Sequence, residues 1–374
     1  MSDPDPAALV VVEDIAKAYD FGASHPLRPE RVLLTYERIR EISLVDEYAT
    51  EIRSRSSTDD EIRAVHDSDF VRTVQEIDSA ALPESAGLEF GLGTPDNPIF
   101  DNMHRASAAV CGASISAAEA VVDGRFSHAF NPAGGLHHAR RREASGFCIY
   151  NDPAAAIAKI LELRPDWRVL YLDVDVHHGD GVQWIFFDEP RVLTVSFHQS
   201  GRYLYPGTGF EDELGTGEAH GTAANFPLLP YTGNDDYLYA LSTALPALAQ
   251  AFVPDVIVTQ LGADTHWGDP LASLGLTMAA YPEMASVVAE VARAHCRDRW
   301  VATGGGGYQA TTVVPLVWTI HFAWMCGHPE LIPPGWLADK NSDEVSRPYR
   351  DHVRRTVAEV LDACLPRLQV LSSS

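Results

Sequence analysis

Carboxylates and histidines that could bind a metal ion lie close together near the middle of the chain. Asp173, Asp175 and His177 alternate within one run, and Asp264 stands in a later polar group. Alternate residues of an extended chain share a face, so the first three side chains point the same way. Burying such groups is costly unless a cation pairs with them. A mixed nitrogen and oxygen set suits zinc or ferrous iron better than magnesium or calcium.

Catalytic zinc usually takes three protein ligands and leaves one position for water or substrate. Asp175 and His177 supply two ligands, and Asp264 can supply the third. We therefore predict a zinc site at these residues, with ferrous iron as the alternative metal in the cell.

Two adjacent histidines, His137 and His138, follow a pair of glycines. If both were also ligands, the metal site would be closed, so we assign them to acid–base chemistry. Each imidazole needs an acceptor that orients its second nitrogen. Asp173 and Asp180, the acids left over from ligation, are the expected partners.

Tyr308 follows four consecutive glycines at positions 304–307. The run does not fit the dinucleotide-binding pattern G-x-G-x-x-G, because Gln309 stands where the last glycine is needed. Glycines instead allow Tyr308 to approach the metal closely. A phenol in that place can donate a hydrogen bond to a developing oxyanion.

The elements that must position these groups alternate between strand-like and helical patterns. Strands are predicted at residues 127–130, 168–172, 191–197, 255–261 and 299–303, and helices at 106–122, 153–163, 235–252 and 281–295. Asp152 is expected to cap the helix at 153–163, with Pro153 in its first position. The alternation predicts an α/β fold, a single domain over 1–374 with an open parallel sheet and helices on both faces. The polar clusters follow strand ends, where such sheets bind ligands.

Composition restricts the partners. The chain has 28 Lys+Arg against 52 Asp+Glu, a net charge of −24. So acidic a surface argues against direct binding to nucleic acid or anionic lipid and would attract cationic ligands such as lysine-rich segments or polyamines. Plain solubility explains the same balance.

The expected compartment is the cytoplasm. The chain has five widely spaced cysteines, an odd number without a CxxC pair, which is typical of a reducing compartment. Its polar N-terminus does not read as a signal peptide. The apolar stretch at 313–326 is too short to span a bilayer, so no membrane partner is expected.

Together these residues resemble the histone deacetylase family, which has the arginase–deacetylase fold. The matching stretches are residues 132–139, 143–152, 171–182, 195–198, 206–209, 260–270 and 304–308. The resemblance extends from about residue 25 to residue 324. Residues 26–31 and the overall length are most similar to the bacterial acetoin-utilisation branch of the family.

The resemblance implies the same roles for the polar residues. Asp175, His177 and Asp264 would bind zinc. His138 would be the general base and acid, and His137 its electrostatic neighbour. Asp173 and Asp180 match the acids that orient the two histidines. Tyr308 matches the tyrosine that polarises the substrate carbonyl.

The resemblance also implies a tunnel for an acyl-lysine side chain. Phe147, beside Gly146, matches one wall, and Tyr205 stands at the facing wall, where many relatives have phenylalanine. Asp96 matches a rim acid that holds the substrate backbone. Leu271 matches the tunnel mouth, where an acid would favour acetylpolyamines. A structural potassium ion is implied near the zinc strand, at residues that include backbone carbonyls: Asp173, Asp175, His177, Ser196 and Phe197.

The expected reaction is zinc-dependent hydrolysis of an N-acetyl amide, with acetyl-lysine in a protein or peptide as the predicted substrate and acetylpolyamine as the alternative. A binuclear manganese ureohydrolase shares the fold but needs an acid two residues beyond the ligand histidine, where this chain has Gly179. His266, two residues beyond Asp264, keeps that alternative open. A non-catalytic acyl-lysine binding module would be expected to lack Tyr308, a ligand or the histidine pair. The sequence leaves the oligomeric state open.

Overall fold

Eight parallel strands form one sheet in the computed structural model, which describes residues 5–12, 18–45, 47–339 and 346–373. Neighbouring strands run parallel in every pair, and their order across the sheet is β2-β1-β3-β8-β7-β4-β5-β6. The strands are β1 (Asp5–Val11), β2 (Thr50–Arg53), β3 (Phe126–Asn131), β4 (Val169–Asp173), β5 (Val192–Gln199), β6 (Ala223–Leu228), β7 (Val256–Gln260) and β8 (Trp300–Thr303).

Both faces of the sheet are covered, as the side chains of β4 illustrate. Leu170 and Leu172 belong to one buried apolar cluster, whereas Val169 and Tyr171 belong to a second. Because successive side chains of a strand point to opposite faces, the two clusters lie on opposite sides of the sheet. A parallel sheet buried on both faces has apolar residues at consecutive positions, and β4 follows this rule until its last residue.

The helices that cover the sheet divide between these two clusters. They are α1 (Glu30–Glu41), α2 (Asp59–Arg63), α3 (Ser68–Asp78), α4 (Met103–Val122), α5 (Asp152–Leu163), α6 (Asp180–Ile185), α7 (Asn234–Phe252), α8 (Ala280–His295), α9 (Val313–Met325) and α10 (Arg350–Ser373). Helices α2 to α6 contribute buried residues to the cluster of Val169, and α1 and α7 to α10 contribute to that of Leu170. Short 3-10 helices lie at Glu84–Phe90, Gly217–Ala219, Pro329–Leu331 and Pro334–Leu337.

The predicted fold class is confirmed: one open parallel sheet carries helices on both faces. The predicted strands and helices agree with the observed ones to within a few residues. Strands β1, β2 and β6 and helices α1, α2, α3, α6, α9 and α10 were not predicted. Within the part of the chain that the structure describes, no helix has both the length and the apolar character needed to cross a membrane.

The prediction for the start of α5 was wrong. The N-cap is Asn151, whose side chain accepts a hydrogen bond from the amide of Ala154. Asp152 is already helical, and its carboxylate accepts hydrogen bonds from the backbone amides of Gly135 and Leu136. The acid therefore holds the glycine turn before the histidine pair instead of the helix end.

The sheet order brings the predicted polar clusters together. These clusters follow β3, β4, β7 and β8, which lie side by side in the sheet as β3-β8-β7-β4. Because all four strands are parallel, their carboxyl ends meet at one edge. The candidate site therefore lies at the centre of that edge.

Candidate metal centre and active site

The three predicted metal ligands converge at this edge. The ligand atoms of Asp175, His177 and Asp264 lie within 4.8 Å of one another, and all three residues are buried. The Nδ1 atom of His177 lies 3.1 Å from Asp175 Oδ1 and 3.2 Å from Asp264 Oδ2. Among the described residues, this is the one cluster of at least three histidine, cysteine or acidic side chains with such a spacing.

Hydrogen bonds orient both carboxylates of this cluster. The side-chain amide of Gln260 donates to Asp175 Oδ2 at 2.6 Å, and the backbone amide of Gly306 donates to the same oxygen at 2.7 Å. The amide of Val176 donates to Asp264 Oδ1 at 2.9 Å. Outer partners of this kind fix the orientation of metal ligands.

The donor set fits a cation. Burial and the neighbouring carboxylate of Asp175 raise the pKa of Asp264 to about 7, so two acids at this spacing oppose each other's ionisation. A Cβ on Gly306 would overlap the Asp264 carboxylate and lie 2.7 Å from Asp175 Oδ2, so glycine lets the backbone close the site from one side. Two carboxylates and one imidazole form a set that can hold a divalent metal ion and leave further coordination positions open.

Each histidine of the adjacent pair faces its own acid. His137 Nδ1 lies 2.8 Å from Asp173 Oδ2, and His138 Nδ1 lies 2.7 Å from Asp180 Oδ1. The Nε2 atoms of the two histidines lie 3.1 Å apart. Both histidines and both acids are buried, as the predicted pairing requires.

Further contacts hold the two acids in turn. The hydroxyl of Tyr171 donates to Asp173 Oδ2 at 2.6 Å. The guanidinium of Arg140 donates to Asp180 Oδ2 from Nε at 3.1 Å and from Nη2 at 2.8 Å. The arginine leaves Asp180 Oδ1 for the histidine.

The environments of the two histidines move their pKa values apart. Burial opposes a charge on His137, yet Asp173 and Asp175 outweigh it and raise its pKa to about 9. Burial and the neighbouring His137 lower the pKa of His138 to about 4, although Asp180 works the other way. One imidazole is therefore suited to carry a positive charge, and the other to accept a proton.

The backbone of the histidine pair is anchored by two residues that were not predicted as part of the site. Asp152 accepts from the amides of Gly135 and Leu136, at 3.0 and 2.8 Å. Asn151 Nδ2 donates to the carbonyls on either side of His138, at 3.1 and 2.9 Å. Both lie in the matching stretch 143–152, where Asp152 was expected to cap the helix and Asn151 had no predicted role.

Phe147 stands at the tip of a tight turn. Ser145 and Cys148 exchange backbone hydrogen bonds at 3.0 and 2.9 Å, and the central residues, Gly146 and Phe147, have φ of 52° and 69°. Two positive φ values in succession are typical of a type I′ turn. A Cβ on Gly146 would overlap the imidazole of His138, so only glycine allows the turn to lie on the catalytic pair.

Aromatic rings line the approach to the metal cluster. The rings of Phe147 and Tyr308 meet edge to face with centroids 5.8 Å apart. The ring of Tyr205 lies 5.0 Å from that of His138, and its hydroxyl makes a hydrogen bond with the Ser145 hydroxyl. Tyr205 therefore faces the site with its ring, while its hydroxyl is taken up by Ser145.

Two contacts define the turn that carries Tyr308. Asp269, a buried residue, accepts hydrogen bonds at 2.9 Å from the amides of both Leu271 and Tyr308. The buried guanidinium of Arg31 donates to the carbonyls of Gly305 and Gly307 at 2.7 and 3.3 Å. Neither Asp269 nor Arg31 was predicted as a site residue, although both lie in stretches that match the family. Burial, with Asp264 and Asp175 nearby, raises the pKa of Tyr308, so its hydroxyl remains a donor.

The two residues predicted at the mouth of the tunnel, Leu271 and Asp96, lie in different surroundings. Leu271 is partly buried. Its backbone amide donates to the carboxylate of Asp269, which places it beside the turn that carries Tyr308. Asp96 is exposed, and its carbonyl lies 3.3 Å from His25 Nε2. The ring of His25 lies 4.5 Å from that of Phe147, which puts the Asp96 loop next to the predicted tunnel wall.

Of the five predicted potassium ligands, Asp173, Ser196 and Phe197 lie on the neighbouring strands β4 and β5, and Asp175 and His177 follow the end of β4. Asp173 on β4 pairs in register with Ser196 on β5, and Phe197 follows on the same strand. Ser196 Oγ lies 2.8 Å from His198 Nδ1. The binding of potassium remains a prediction.

Positions 179 and 266, which could supply ligands for a second metal ion, do not offer a free ligand group. A Cβ on Gly179 would overlap Asp173 Oδ2, which leaves no room for a bridging acid. His266 Nε2 lies 2.9 Å from Asp339 Oδ1, and its Nδ1 accepts from the amide of Gly268 at 3.2 Å. Both observations count against the ureohydrolase alternative.

Comparison with known proteins places the chain in a family. The sequence pattern described as "Histone deacetylase domain" matches residues 25–325. "Acetoin utilization protein AcuC" of Bacillus subtilis (strain 168) is 42% identical over 323 residues, covering 86% of this chain and 83% of that protein. The protein of the same name from Staphylococcus aureus (strain MRSA252) is 34% identical over 327 residues, covering 87% of this chain and 83% of that protein.

Solved structures agree with the sequence matches. The crystal structure of an HDAC homolog from Aquifex aeolicus has a TM-score of 0.81 at 29% identity, covering 95% of this chain and 99% of that one. The structure of an HDAC homolog complexed with SAHA gives the same values. The extent of the sequence match and the shared fold show that this chain belongs to the histone deacetylase family.

Proposed function

We propose that this protein is a zinc-dependent deacetylase that hydrolyses acetyl-lysine in proteins or peptides to acetate and the free amine. Family membership supports deacetylase chemistry in general. The observation that carries the finer proposal is the pair of buried histidines, each on its own carboxylate, beside a buried cluster of two acids and a histidine.

Asp175, His177 and Asp264 would hold the metal. When bound, zinc supplies a Lewis acid that polarises the amide carbonyl and lowers the pKa of water to about 7. The chain itself supplies the proton transfers. His138 Nε2 accepts a proton from the attacking water while Asp180 holds its Nδ1, and His138 then gives that proton to the leaving amine.

His137 and Tyr308 stabilise the charge that develops on the carbonyl oxygen. His137, whose ring Asp173 orients through Nδ1, would supply the electrostatic stabilisation beside His138. Tyr308 provides a hydroxyl donor, an effect worth roughly 3–4 kcal/mol per lost donor in comparable sites. Phe147 and Tyr205 would flank the methylene stem of the lysine and exclude water from it, with Gly146 keeping that wall against His138.

The peptide substrate is favoured over acetylspermidine by the neutral side chain of Leu271, beside the Tyr308 turn. An apolar residue can pack on a lysine stem but cannot pair with a second ammonium group. Asp96 at the rim would hold the substrate backbone, and potassium would bind near β4.

The test compares kcat/KM for an acetyl-lysine peptide and for acetylspermidine at matched ionic strength, with and without chelator. We expect the peptide to be preferred and the chelator to abolish turnover. A tenfold or greater preference for the polyamine, on the order of 1.4 kcal/mol, would reject the peptide substrate and leave deacetylation itself in place.

A further inference from the structure

A line of three polar side chains connects the turn of Tyr308 to a segment far along the sequence. Asp339 Oδ1 lies 2.9 Å from His266 Nε2, and Gln309 Nε2 lies 2.8 Å from His266 Nδ1. The side chains of His266 and Asp339 are 3% and 10% exposed, so water competes little for these bonds. Gln309 is the residue that directly follows Tyr308.

The direction of each hydrogen bond follows from the partners of His266. Its Nδ1 atom accepts a hydrogen bond from the backbone amide of Gly268 at 3.2 Å, so this nitrogen carries no hydrogen. Nε2 then carries the hydrogen and donates it to Asp339, and the side-chain amide nitrogen of Gln309 donates to Nδ1, where it shares the lone pair with the Gly268 amide. Directed bonds in series leave one arrangement of the three side chains.

The turn needs anchors of this kind because glycine supplies none. Residues 304–307 have no side chains with which to pack, and Gly307 has φ of 132°, which other residues rarely adopt. Arg31 holds the backbone before Tyr308, and Asp269 holds the amide of Tyr308 itself. The bond from Gln309 to His266 holds the residue after it.

We propose that His266, oriented by Asp339, is a positioning residue that fixes the Tyr308 hydroxyl through Gln309. The proposal rests on the proposed function, in which Tyr308 donates to the oxyanion. Releasing this anchor lets the tyrosine depart from its catalytic position. Because a displacement of about 1 Å costs up to a hundredfold in rate, we expect roughly a tenfold loss from a partial release. The loss falls on kcat, since Tyr308 acts in the transition state and not in substrate binding.

The test variant is Gln309→Leu, which keeps the size of the side chain and removes its donor. The control is Gln250→Leu, the same change at an exposed position of α7. We expect Gln309→Leu to lower kcat for an acetyl-lysine peptide by roughly tenfold, with KM and metal content as in the parent. The control should match the parent in all three. A lower melting temperature with full kcat would mean a merely structural bond and would overturn the proposal.

A double-mutant cycle with Tyr308→Phe identifies the route of the effect. If Gln309 acts through the tyrosine hydroxyl, Gln309→Leu should cause no further loss of kcat once that hydroxyl is gone. A loss of the same size in both backgrounds would show another route and reject the inference. Asp339→Asn, which acts from the other end of the line, should lower kcat in the same direction by a smaller factor.

The cycle also separates this inference from the proposed function. If Tyr308→Phe retains full kcat, the oxyanion assignment is wrong and the positioning role falls with it. If Tyr308→Phe loses activity while Gln309→Leu and Asp339→Asn retain it, only the positioning role is rejected.

Discussion

Replacing His321 with leucine should make the protein more resistant to acid. His321 lies on α9 with only 1% of its surface exposed, and neither ring nitrogen has a hydrogen-bond partner among the described residues. Burial lowers its pKa from 6.5 to about 3. Because the unfolded chain binds a proton first as the pH falls, the folded state is disfavoured below the ordinary pKa of the group.

The size of the effect follows from the two pKa values. The depressed pKa leaves stability intact above pH 6.5 and removes it progressively between pH 6.5 and about pH 3. At pH 5 the histidine should cost about 2 kcal/mol of unfolding free energy, at 1.36 kcal/mol for each pH unit below 6.5. Because the variant no longer buries a polar group without a partner, its unfolding free energy should also rise by roughly 1–3 kcal/mol at any pH.

The assay is denaturant unfolding of the parent and of His321→Leu at pH 7 and at pH 5. The variant should lose about 2 kcal/mol less between the two pH values than the parent does. The matched control is His220→Leu, at an exposed position, which should keep the pH dependence of the parent. Equal losses in His321→Leu and the parent would refute the reasoning, because another group would then cause the acid sensitivity.

Three further predictions concern the candidate site. Asp264→Ala should lose the metal, since three ligands leave no redundancy, whereas the parent should hold about one zinc or iron ion per chain by elemental analysis; two tightly bound manganese ions would contradict this. Asp180→Asn keeps the shape of the partner of His138 and removes its charge, so kcat should fall, but by less than in His138→Ala; a larger loss would give the acid the principal role. Leu271→Glu should shift the ratio of kcat/KM values toward acetylspermidine, because the new carboxylate can pair with a second ammonium group; an unchanged ratio would place Leu271 away from the tunnel mouth.

The sequence predicted the central part of the sheet well because burial on both faces gives long apolar runs there. Strand β4 and the run after β7 show this, since each ends abruptly in acids that are costly to bury without a partner. The edge strands lack that contrast. Strand β2 is mostly exposed, and β6 contains Pro227, which counts against a strand in a pattern-based prediction.

Contacts between distant segments lay beyond what residue patterns could predict. Asp152 and Pro153 read as a helix start, and only the folded chain shows that the carboxylate is needed 17 residues away, at the amide of Gly135. The partner of His266 is Asp339, 73 residues later. Pairings of this length depend on how helices and loops settle on the sheet, which local propensity does not encode.

The order of strands in the sheet has a consequence for how such a protein can diversify. The polar clusters follow β3, β8, β7 and β4, whereas the outermost strands, β2 and β6, end outside the cluster of metal ligands. Changes in length or composition at these two outermost strands can therefore accumulate without disturbing the chemistry. The register of the central strands is set by their pairing with one another. Insertions should be tolerated at these outer margins, while even one added methyl group at Gly306 would push a carboxylate out of place.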